Sequence, residues 1–210
     1  MREELLPLFP LPLVLFPRTP LPLHIFEDRY KEMISQAVAG ETEFGIVLSR
    51  EQGIVNMGCS AMVERVVHRH PDGRMDIITL GRRRFEVLEL VDGKSYVQGR
   101  VRFFDDLEIP AMPMDVKQKA VEAYTSARHA TRQDAASEPQ WNDPQLSFQL
   151  AQIVDDVDFR QQLLALRSES ERLKLLVDYF PIHVIRWRHS EQMRACAPRN
   201  GHSKHIPITS

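Results

Sequence analysis

The chain has 210 residues, 43% of them hydrophobic, and a formal net charge of −2. That length suits one large or two small domains, and the near-neutral balance in both halves excludes a dedicated basic nucleic-acid binder. Cys59 and Cys196 lie far apart with no CxxC partner, so a disulfide framework is not indicated and a reducing, cytoplasmic setting is expected.

The first ordered stretch, "LPLFPLPLVLFPRTPLPLHIFEDRY" from Leu6 to Tyr30, places six prolines between Pro7 and Pro22. A secretory signal needs a basic start and an unbroken apolar run. Met1-Arg2-Glu3-Glu4 and the prolines supply neither. A membrane span is excluded because proline costs about 3 kcal/mol inside a helix. The PxxP spacings Pro7–Pro10 and Pro17–Pro20 match polyproline ligands, but Phe9, Phe16, Ile25 and Phe26 call for burial. What remains is short, extended, buried chain. "LPL", "LVLF" and "LPLHIF" read as edge or bent strands, with turns at Pro10–Pro12 and Pro17–Pro20.

A helix is predicted from about Asp28 to Ala39, where Tyr30, Met33, Ile34 and Ala37 recur at helical spacing and Gly40 stands at the C′ position. Glu27, just before it, is expected to pair with Arg29 or Arg84 as a structural ion pair. "FGIVLSR", "GCSAMVERVVHRH", "RMDIITLGRRRFEVLELV" and "SYVQGRVRFFDD" are strand-like. Gln52-Gly53, Pro71-Asp72-Gly73 and Asp92-Gly93 punctuate them as turns. Residues 1–110 therefore read as a β-barrel with one helix.

The period changes in "EIPAMPMD", Glu108 to Asp115. Residues 111–196 read as a bundle of about four helices, and 197–210 as a loose tail. Val116, Ala120, Tyr124 and Ala127 form one stripe. Asp143-Pro144 signals a helix start, Asp158 a cap for "FRQQLLALR", and Ser168 to Glu171 a capping box. Pro181 is expected to kink or divide the last helix.

No catalytic constellation emerges, and neither a cofactor nor a metal is indicated. Gly93-Lys94-Ser95 resembles the end of a phosphate loop, but Leu88 stands where the first glycine belongs. No GxSxG occurs. His68 and His70 could share a strand face, but no second ligand cluster accompanies them in sequence. Cys59 reads as a small buried residue. In the run Arg82-Arg83-Arg84, alternation puts Arg82 and Arg84 on one face and Arg83 on the other, which splits the charge.

These motifs, in this order and spacing over about residues 5–107, resemble the N-terminal LON substrate-binding domain of the Lon protease family. "LLALRSESERLKLLVDYF" resembles its helical part more weakly. The resemblance implies an α+β fold: a PUA-like pseudo-barrel, similar to one in cereblon, followed by a helical bundle. Complete Lon proteases continue into an AAA+ module and a Ser-Lys protease module. With no complete Walker A motif here and the chain ending at Ser210, the expectation is a stand-alone, non-catalytic module. It would bind unfolded or extended polypeptide, beside a protease or chaperone partner, away from membranes. An RNA-binding PUA-like protein is the alternative, disfavoured by charge. The candidate peptide contacts are Phe16 and Pro17, at a predicted turn, and whichever of Phe103 and Phe104 faces away from the barrel core. They would border a groove between barrel and bundle, where a free sheet edge could also accept a strand.

Overall fold

The computed structural model describes residues 3–107, 114–133 and 138–196, with side chains as far as 194. The expected tail, 197–210, lies outside the described residues. So does most of the Glu108–Asp115 boundary. The fold is α+β. Six strands, β1 (Glu3–Leu11), β2 (Pro20–Ile25), β3 (Phe44–Arg50), β4 (Gly53–Arg69), β5 (Met75–Val91) and β6 (Gln98–Phe104), form one sheet. Five α-helices accompany them: α1 (Asp28–Gly40), α2 (Met114–Ala130), α3 (Leu146–Leu150), α4 (Val157–Ala165) and α5 (Glu169–Cys196).

The strand order is β2-β5-β4-β3-β1-β6, and β5 also pairs with β6. Five strands therefore close on themselves, and β2 hangs on the outside of β5. Only β1 and β3 run parallel. The hairpin signals hold at the three glycines, which all take positive φ: Gly53 at 133°, Gly73 at 84° and Gly93 at 134°.

Period-2 alternation sorts the closed strands into two faces. One face gathers Leu6, Leu8, Val47, Phe85 and Val101. Phe85 fits there because β3 and β4 present glycines to it. A Cβ at Gly45 or Gly58 would stand 2.6 Å from the tip of its ring. The opposite face carries Phe9, Phe44, Ile46, Cys59 and Ala61 into a larger cluster shared with α1 and the later helices. Burial of this apolar surface is the main favourable term in the fold.

Several local expectations are corrected. The segment "LVLF" is not a strand. Val14, Leu15 and Phe16 are buried in irregular chain, because the turn after them docks on β5: Arg18 N–H donates to Gly81 C=O at 2.7 Å and Gly81 N–H to Thr19 C=O at 3.0 Å. In α1 the left-handed residue is Glu41, φ 48°, not Gly40, which stays helical. Asp143 does not cap α3. Its carboxylate accepts Gln145 N–H at 2.8 Å, closing a turn before the helix. Asp156 rather than Asp158 caps α4, accepting Phe159 N–H at 3.0 Å, while Asp158 pairs with Arg50. Ser168 does cap α5, with Glu171 N–H 3.3 Å from its hydroxyl. Pro181 does not divide α5, which runs on as one helix of 28 residues. Phe180, beside it, packs edge-on against Tyr124 of α2 at 6.0 Å.

Candidate polypeptide-binding groove

The expected contact residues are mostly interior. Phe16 has 0% exposure and stacks on Phe148 at 4.9 Å, with the Arg160 guanidinium 4.6 Å from its ring. The predicted turn is present, but it folds the ring inward instead of presenting it. Phe103 and Phe104 do point to opposite faces. Phe103 packs against Phe85 and is capped by Arg83 at 3.6 Å. Phe104 is buried beneath Arg84 and Arg167, at 4.9 and 4.4 Å. Pro17 is itself buried, at the rim of the groove between barrel and helices.

That groove exists, with a volume of about 520 Å³, but its lining is rich in amides: Gln140, Gln145, Gln149 and Gln152. Arg18 reaches across it to Asp143 at 3.0 Å, and Gln152 donates to the Thr19 hydroxyl at 2.8 Å. These contacts tie the two parts together.

A second groove, of about 510 Å³, lies between the C-terminal half of β1 and the corner where β2 enters α1. Pro10, Leu11, Pro12, Leu23 and Val97 contribute to its walls. Phe26, a ring expected to be buried, instead stands on its border with 60% exposure. The groove's charge comes from Glu27 and Arg29, which pair at 2.7 Å while both remain well exposed. Tyr30 closes the floor with Arg29 4.6 Å over its ring. Burial pushes the Tyr30 phenol above its ordinary range against the pull of Arg29. An exposed aromatic ring among apolar walls, edged by a charged pair, matches the anatomy of a polypeptide-docking surface.

Strand addition is disfavoured at this site. In β2, the prolines face Leu80 and Ile78 of β5, and lacking N–H groups they can occupy only positions whose donors would point away from that partner. Pro20 and Pro22 therefore leave the outer edge with His24 as its N–H donor. This is a blunted edge.

Arg84 does not pair with Glu27. A bulge sets Arg82 and Arg83 together opposite Ser60, whose hydroxyl accepts Arg83 N–H and donates to Arg83 C=O. The bulge shifts the alternation by one, so Arg84 turns inward to 1% side-chain exposure. It binds Asp106 at 2.6 Å and the carbonyls of Leu164 and Leu166. Arg172 of α5 grips both Asp106 oxygens, at 2.7 and 2.6 Å, and Glu169 at 2.7 Å. Glu169 in turn accepts the backbone N–H and hydroxyl of Ser147. Burial would raise the Asp106 carboxyl, but its bonds to Arg172 and the nearby Arg84 hold it below the usual range. Burial pushes Glu169 up despite the opposing pull of Arg172. This network was not anticipated, because its members come from separate elements and no local spacing links them. The basic run loses Arg84 to it, and Arg83 to Glu43 at 3.2 Å.

The remaining candidates also have positions. Gly93-Lys94-Ser95 forms part of the β5–β6 connection, with the Ser95 hydroxyl on Glu32 at 2.6 Å. Cys59 is buried, and its thiol is pushed up to about 12 by that burial. The fold brings His24 and Asp76 to His70, a cluster that spacing did not reveal. No described helix is long and apolar enough to cross a membrane.

The family model of the ATP-dependent protease La (LON) substrate-binding domain matches residues 5–180. Curated relatives include the Lon protease of Parabacteroides distasonis, 30% identical over 112 residues, and that of Anaeromyxobacter dehalogenans, 30% identical over 131. The matches cover 49% and 56% of this chain but only 14% and 16% of those relatives. Among solved structures, a Lon N-terminal domain protein from Xanthomonas campestris superposes with a TM-score of 0.66 at 23% identity, covering 84% of this chain and 98% of that one. The N-terminal domain of Mycobacterium avium complex Lon protease gives 0.66 at 18%, covering 86% and 100%.

Proposed function

Because the chain belongs to the LON substrate-binding domain family, we propose that it is a non-catalytic module that binds extended or unfolded polypeptide. The observation that carries this reading is the exposed Phe26 ring bordering the apolar β1–β2/α1 groove. Apolar side chains of the ligand would fill the space between Leu11, Leu23 and Phe26, with Glu27 and Arg29 setting the rim. Specificity would follow from apolar side-chain burial rather than main-chain pairing, since the bordering β2 edge is blunted by proline. The free thiol of Cys59 fits a reducing, cytoplasmic setting. A protease or chaperone would act on what the module captures.

The test is fluorescence anisotropy of a labelled, reduced and alkylated unfolded protein titrated with the full chain. Phe26→Ser should weaken binding about tenfold, or ~1.4 kcal/mol, without changing the melting temperature. Unaltered binding by that variant would remove the groove from consideration. The same preparation should show neither ATP hydrolysis nor peptide cleavage.

A further inference from the structure

We propose that His24, His70 and Asp76 form a site for a divalent transition-metal ion, zinc being the reference case, on the outer face of the barrel. Two strands and the β4–β5 turn build it. Register places His24 of β2 opposite Asp76 of β5, and His68 of β4 opposite Asp76 on the other side. The β4–β5 turn, closed by Gly73 N–H on His70 C=O at 3.0 Å, brings His70 back over the same carboxylate. His24 Nδ1 lies 2.7 Å from one Asp76 oxygen, and His70 Nε2 lies 2.9 Å from the other. Among the described residues no arginine or lysine forms an ion pair with Asp76.

Two imidazoles and one carboxylate are the ligand set of borderline divalent metals, not of magnesium or calcium. The three donor atoms already lie within 4.8 Å of one another. Closing them on an ion with bonds of about 2.0–2.2 Å needs movements of about an ångström, which these partly exposed side chains can make. The ion would replace the protons that now bridge the imidazoles to Asp76. It would also clip β2, which hydrogen-bonds to β5 alone within the sheet, to the neighbouring hairpin.

Zinc chloride titrated calorimetrically into the tag-free full chain should bind at one ion per chain. His24→Ala/His70→Ala should weaken that binding more than about tenfold, and Asp76→Asn, which keeps the shape of the carboxylate without its charge, should weaken it too. Proton NMR of the wild-type imidazoles supplies a readout independent of any variant's folding: zinc should shift the His24 and His70 ring signals. Absence of saturable zinc binding would overturn the proposal. So would shifts confined to other histidines, undiminished binding by a folded double variant, or equal binding of magnesium.

Discussion

The closed barrel and its junction with the helices are held by opposite chemistry. The barrel face around Phe85 is apolar and filled to the point where Gly45 and Gly58 cannot accept a methyl group without a clash. The junction instead buries two arginines and two carboxylates, Arg84, Arg172, Asp106 and Glu169, around Phe148. A bidentate guanidinium–carboxylate pair adds direction to contact, because it has one geometry. The difference teaches that strand register and close apolar packing fix the barrel, while at the junction directional charge pairs join the shared apolar cluster in fixing where the helices sit. Buried ion pairs add little net stability over apolar replacements, but losing one member strands the rest.

The largest expected effect follows directly. Asp106→Ala removes the shared acceptor of two buried arginines, and a loss of about 3–5 kcal/mol is expected in urea unfolding. A loss under about 1 kcal/mol would mean that water replaces the carboxylate and that the junction is not specified by charge. Replacing the whole network, Arg84→Met/Asp106→Leu/Glu169→Gln/Arg172→Met, in which the glutamine keeps an acceptor for Ser147, should recover most of that loss.

The barrel side of the comparison is tested at Gly81. A Cβ there would stand 2.1 Å from the carbonyl oxygen of Phe16. Gly81→Ala should therefore cost about 1–3 kcal/mol through overpacking and loosen the 16–19 turn. Trypsin cleavage after Arg18 should accelerate. Unchanged cleavage and melting would show that the turn is not held by its close approach to β5.

Acid sharpens the contrast further. Asp106 has a lowered carboxyl, so its stabilisation is present above its unfolded value of about 3.9 and is lost as pH falls through the folded one. Glu169 has a raised carboxyl and opposes this: its contribution is present below about 4.3 and is lost as pH rises through its folded value. Asp106→Asn removes the first and leaves the second. Stability measured between pH 4 and pH 2 should fall less steeply in the variant than in the wild type. Equal slopes would place the acid sensitivity on other carboxylates, such as the α4 cap Asp156.

The same contrast decides what could be read before any coordinates. Strands such as Phe44–Arg50, the hairpin glycines and the stripe Ala120, Tyr124, Ala127 follow from local period, and they stand where the pattern puts them. The family resemblance rested on that local order. The sites did not follow from it. Phe16 calls for burial by its chemistry, and the turn beside it suggests a ring open to a partner; the ring is core because it stacks on Phe148, far along the chain. Arg84 reads as a possible partner of Glu27 on the face of Arg82, and one bulge residue reverses that alternation and turns it to Asp106. His70 reads as a surface histidine until β2 delivers His24 across β5. Each involves partners far apart in the chain, whose proximity only the tertiary fold creates.

The smallest effect belongs to Glu27, which offers the exposed counterpart of the buried network. Glu27 meets Arg29 at 2.7 Å, with 40% and 48% of the respective side chains exposed. Solvent already compensates both charges, so the Coulomb gain is small and partly offset by side-chain ordering. Glu27 is also the N-cap residue of α1, yet its side chain makes no hydrogen bond to the helix backbone. Glu27→Ala should therefore lower stability by less than about 1 kcal/mol, and 1 M salt should remove most of that difference. Polypeptide capture is read on the same sample, because Glu27 borders the Phe26 groove. A loss near that of Asp106→Ala, persisting in salt, would show that the pair is buried in solution and that the division between apolar barrel and charged junction fails at this corner.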